Sequence, residues 1–112
     1  MKRPRLNRKL TLEGPVRVDD GSGGFSENWV TLGVLWADVS ARSGREAASG
    51  ALPVARLGYR IVVRAAPSGS PERPLPGQRF LESGRIFSIQ AVLEHGTSGH
   101  YLNCLAQEEV VT

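Results

Sequence analysis

The chain has 112 residues, 40% of them hydrophobic, 22% charged and only 6% aromatic, which is enough for one hydrophobic core and excludes a second. A single cysteine, Cys104, excludes an internal disulfide, and no apolar run reaches the length of a membrane-spanning helix. The net charge of +3 is unevenly placed: Lys2, Arg3, Arg5, Arg8 and Lys9 precede the first acid, Glu13, and the remaining nine basic residues face eleven acidic ones.

The start, Met1 to Arg5, is basic but no apolar segment follows it, so no secretory signal is expected and synthesis in the cytoplasm is. Residues 1–9 read as a basic arm suited to nucleic acid or an acidic protein surface, and residues 10–112 as one domain. From Arg8 to Val18, apolar residues at Leu10, Leu12, Val16 and Val18 keep the period of two that marks a half-buried strand. Gly14-Pro15 predicts a bulge or an edge position within it. Asp19 to Gly24 is a turn. Trp29 to Val39 is apolar on both faces, which predicts a strand buried on both sides, or one bent at Gly33.

Ser40 to Pro53 has no strand pattern. It reads as a long loop, extending over residues 40–54, with Ser43 capping a short turn through Glu46 and Ala48. Leu57 to Arg64 is the cleanest strand, with Tyr59, Ile61 and Val63 on one face and Arg60 and Arg64 on the other. Prolines at 67, 71, 74 and 76 make Ala66 to Pro76 an extended surface loop. Gln78 to Leu81 is a short strand and Glu82-Ser83-Gly84 a turn. Arg85 to Leu93 is a strand with Phe87, Ile89, Ala91 and Leu93 on one face. His95 to His100 is a hairpin loop. Tyr101 to Glu108 is the last strand, with Leu102, Cys104 and Ala106 inward. Six short strands in a small chain must close on themselves to cover a core, so the expected fold is all-β, a six-stranded barrel or barrel-like sandwich.

Chemistry is sparse. His95 and His100 with Cys104 lack a further strong ligand and read as loop histidines and a buried thiol, so no metal is expected. Ser98 and His100 lie in a Gly/Ser turn with no nucleophile elbow around them. Asp19, Asp20 and Glu27 match no calcium-loop spacing, and Asp19 to Phe25 is too acidic for a phosphate loop. No enzyme activity and no cofactor is expected. Tyr59 with Arg60 and Arg64 hints at a nucleic-acid-binding barrel, but ring and guanidinium groups fall on opposite faces. Arg42 and Arg45, with Arg56 beyond, would meet phosphate without reading sequence if the long loop faced DNA.

Several strings, in order, carry a resemblance: Leu10-Thr11-Leu12 after a basic arm, Asp20 and Gly21 to Gly24 leading into Trp29, Trp36-Ala37-Asp38-Val39, Ser43-Gly44-Arg45-Glu46, Tyr59 to Arg64, Gly77-Gln78-Arg79-Phe80, Gly84 to Ile89, and an acidic final strand. Together they span nearly the whole chain and resemble the phage head–tail joining, or head closure (stopper), proteins of tailed phages, prophages and gene transfer agents. The resemblance implies a six-stranded barrel with a long loop between the second and third strands. It implies assembly as a ring, usually sixfold, with portal or adaptor proteins above and a tail terminator or tail tube below. Packaged double-stranded DNA would be held non-specifically in the channel, and no membrane would be involved. Carried onto this chain, the channel-facing loop offers Arg42, Arg45 and Glu46, and the docking arm Lys2, Arg3, Arg5, Arg8 and Lys9. A tail terminator or other connector subunit, or a small nucleic-acid-binding barrel, are the alternatives.

Overall fold

A computed structural model describes residues 3–42 and 58–109. Six strands run in chain order: β1 (Arg8–Asp19), β2 (Phe25–Ala41), β3 (Gly58–Arg64), β4 (Arg79–Glu82), β5 (Arg85–His95) and β6 (Tyr101–Glu108). Every pairing is antiparallel, and the spatial order β1-β2-β3-β6-β5-β4 closes because β4 returns to β1 at Thr11–Glu13. The all-β, six-stranded expectation holds, with the long connection between β2 and β3.

The interior is built from the alternation read in the sequence. Leu10, Leu12, Ala37, Ile61, Val63, Phe80, Phe87, Ile89, Leu102, Cys104 and Ala106 are buried together. Burial pushes the Cys104 thiol up to about 12, so it behaves as a small apolar core residue. Two bulges change the alternation. One lies between Leu12 and Glu13 of β1 on the β2 ladder, where Leu32 is the extra residue. The other, at Gln90, shifts β5 against β6 so that Val92 pairs with Cys104 and packs against the core. Leu93, expected inside, is turned out and exposed. A bulge re-aims every side chain beyond it, and the residues around Gln90 carry no local signal of one.

Of three further expectations, one holds in its second form and two are corrected. Gly14-Pro15 takes the edge position expected as the alternative to a bulge. β1 continues through it to Asp19, and Pro15 is tolerated because β1 has lost its β4 neighbour there and runs as an edge. The apolar stretch of β2 is not buried on both sides: Val30, Val34 and Trp36 are exposed. The proline-rich segment is not wholly a surface loop, since Pro74 is fully buried. Its neighbours turn tightly, with the Arg73 guanidinium donating to the Ala66 carbonyl at 2.7 Å, and it closes one end of the interior, where Glu72 fits over Gly33. A Cβ at Gly33 would come within 2.9 Å of Glu72 Cγ, so that glycine makes room for the cap, and it stands beside the bulge at Leu32. The β4–β5 turn is Ser83-Gly84 with φ of 47° and 85°, the two positive values that a two-residue type I′ hairpin requires.

Candidate interaction surface

At the end opposite Pro74, the last inward positions of five strands are polar. Arg8 of β1 donates to Glu82 of β4, with Nε 2.7 Å from Oε2. Arg85 of β5 donates to Glu108 of β6 at 2.8 and 3.0 Å and to the Tyr59 hydroxyl of β3 at 3.2 Å, and it lies 3.9 Å from Glu82. The hydrogen bond from Arg8 holds the Glu82 carboxyl below its ordinary value. The bonds from Arg85, aided by Tyr59, do the same for Glu108. This girdle closes the mouth from which the chain leaves β2 and re-enters β3. Depressed carboxylates stabilise the fold fully above the ordinary carboxylate range, and lose that contribution as pH falls through their folded values. The urea midpoint should therefore stay level from about pH 7 to about pH 5 and fall steeply below about pH 4. A Glu82→Gln/Glu108→Gln variant should start lower and fall less, and an unchanged slope would assign the acid sensitivity elsewhere.

The structure separates the arm residues. Arg8 belongs to the girdle. Lys9 is an exposed β1 residue paired with Trp36. Residues 3–7 lie on the outer wall of the chain's own β2 and β3, where the Arg5 amide donates to the Asp38 carboxylate at 2.9 Å. Arg3, Arg5 and Arg60 meet there with Asp38, Ser40 and His95 around a groove of about 530 Å³. Of the loop candidates, Arg42 lies at the mouth, its amide donating to the Gly58 carbonyl at 2.9 Å. Lys2, Arg45, Glu46 and Arg56, and the turn expected from Ser43 through Glu46 to Ala48, lie outside the described residues. Ser40 and Ala41, read as loop, are strand residues paired with Arg60 and Tyr59.

Three features were missed in the sequence. The girdle's hydrogen bonds join residues 23 to 74 positions apart, a separation with no local signature. The outer wall of β2 continues the groove as an apolar strip, where Leu6, Val34, Trp36, Ala65 and Pro67 line a second hollow of about 410 Å³. Finally, β1 and β2 outrun their neighbours. β4 covers β1 only at Thr11–Glu13 and β3 covers β2 only at Ala37–Ala41, so Gly14–Val30 projects as a two-stranded ribbon. The alternating Val16 and Val18 were a legible signal for its apolar face, but they read as core. Its tip is pinned by Asp20, whose carboxylate accepts the amides of Ser22 and Gly24 at 2.8 and 3.1 Å. Its outer face carries Arg17 over the Phe25 ring at 4.5 Å and Arg79 over the Trp29 ring at 4.0 Å, with Arg79 also bonded to Glu13 at 2.9 Å.

Among the described residues no group of three or more His, Cys, Asp or Glu is placed to hold a metal. What the fold offers instead is surface: a closed barrel, a projecting ribbon, and a basic groove with an apolar hollow beside it, the equipment of a protein that packs against other proteins. The chain belongs to the phage head completion protein family, whose model matches residues 1–109. It is similar to a chain in the structure of the virion of a native gene transfer agent particle, at 50% identity with a TM-score of 0.81, over 98% of this chain and 100% of that one. It is also similar to the solution structure of a Shigella flexneri 2a protein, at 26% identity with a TM-score of 0.70, over 96% of each chain. Among curated proteins none matches. The family is a structural one, and the non-enzymatic reading stands on that membership.

Proposed function

We propose that this chain is a structural subunit of the head–tail connector of a tailed phage or phage-like particle. In this reading it forms a ring, of six copies by resemblance, below the portal and its adaptor. The ring retains packaged double-stranded DNA and presents the surface on which the tail docks. The observation that carries the reading is the 50% identity, over nearly the full length of both chains, to a component of a gene transfer agent virion. The surface supports it physically. Phe25, Trp36 and Val34 are 63%, 54% and 50% exposed in the single chain, and such groups on a small soluble domain mark contacts with other proteins.

The test is electron microscopy of particles from a strain lacking this gene. Heads without tails beside free tails, with DNA lost from the heads, are the expected result. Intact, tailed, DNA-filled particles would remove the connector reading.

A further inference from the structure

The ribbon and the outer wall of β2 are complementary in sequence of chemistry and in spacing. Along the ribbon the face that carries the valines runs from apolar to acidic: Val30 and Val16, then Val18, then Asp20 at the tip, with Asp19 on the opposite face beside Phe25. Along the wall the order is the same, from Val34 and Trp36 to the cluster of Arg3, Arg5 and Arg60. Four residues separate Val16 from Asp20, and four separate Trp36 from Ser40, the register partner of Arg60. Both intervals span about 13 Å of strand. Asp38 lies among the arginines and accepts the Arg5 amide, and three guanidinium groups beside one carboxylate leave the cluster net basic.

We propose that the ribbon of one copy lies on the β2–β3 wall of the next, valines against Trp36 and Val34, acidic tip among the arginines. The chain cannot make this contact with itself. Ribbon tip and basic cluster sit at opposite ends of β2, 15 residues and about 50 Å apart along the strand. Two different patches at opposite ends of one subunit make a heterologous contact, which repeats from copy to copy and closes a ring when the rotation allows. The inference deepens the connector reading and rests on it. It also gives the unusual length of β1 and β2 a purpose: an exposed β-ribbon with an apolar face is marginal alone and is completed by a neighbour's wall.

The test uses whole particles carrying the chain with Val18→Cys and Trp36→Cys, treated with a short bifunctional maleimide. Cys104 is buried and stays silent. A ladder of covalent multimers from the double variant, with neither single variant giving dimers, is the expected result. Dimers from Val18→Cys alone would mean that the ribbon meets its own copy in a partner. A conjugate with another particle protein would mean that a different occupant covers it. Either result, or the absence of any ladder in particles that contain the chain, overturns the proposal and leaves the connector reading standing. Parent particles, with Val18 and Trp36 unchanged, that lack the chain altogether overturn both. As a second measurement, Val18→Glu and Trp36→Glu, both at exposed positions, should each lower the chain's content in particles about tenfold or more while the isolated protein keeps its thermal midpoint. Normal content in both variants would count against the contact.

Discussion

Replacing Phe87 by alanine is expected to lower the free energy of unfolding by about 3–5 kcal/mol, the usual cost of emptying a fully buried aromatic site. Phe87 has no exposed surface, pairs with Phe80 across the β4–β5 ladder, and meets the Tyr59 ring edge-on with centroids 5.2 Å apart. The Arg85 guanidinium rests 4.9 Å from its ring centre. These contacts come from three strands of a closed sheet, so the surroundings cannot collapse into the space left behind. Domains of this size are stable by about 5–15 kcal/mol, so about a fifth or more of the total is at stake. Urea unfolding followed by tryptophan fluorescence measures it, and a loss below about 1 kcal/mol would mean that the barrel end is not packed as described.

Arg85→Ala should cost about 1–3 kcal/mol. Arg85 donates to two oxygens of Glu108 and to Tyr59, and lies within reach of Glu82. Its removal leaves Glu108 without its bidentate partner at a half-buried strand end. Partial exposure, with 39% of the Arg85 side chain accessible, keeps the cost below that of a buried pair. Arg85→Lys should recover less than half, since an ammonium cannot reproduce the planar fork across Glu108. The same urea series reads all three proteins, and equal stability of the lysine and arginine forms would show that charge alone matters here. Raising the salt concentration should narrow the gap between parent and alanine variant only modestly, because geometry carries part of it.

These two residues show where sequence reasoning reaches its limit. Phe87 was legible as an inward residue from its alternation with Ile89. Arg85 was not legible as a hub, because Glu108 and Tyr59 lie 23 and 26 residues away and meet it only once the sheet closes. The candidate surface divides the same way. Arg3 and Arg5 were visible as basic-arm residues, but their union with Arg60 depends on the arm lying on β2. Arg8 looked like part of the same arm and is a girdle residue, because β4 places Glu82 beside it.

By itself the sequence determined what is local. The period-two runs at Leu10 and Leu12, at Tyr59, Ile61 and Val63, and at Leu102, Cys104 and Ala106 dictate strands, since only an extended chain puts alternate residues on one face. Ser83-Gly84 dictates its turn for an equally local reason, the positive φ that glycine allows next to a short polar residue. The tertiary structure alone decided which strand neighbours which, where Leu32 and Gln90 bulge, and therefore that Val92 is inside and Leu93 outside. It also decided that β1 and β2 outrun the barrel and leave Val16, Val18 and Trp36 uncovered. Apolar character says that a residue should be covered, but what covers it depends on the lengths of strands distant in the chain, and here β3 and β4 are too short to reach.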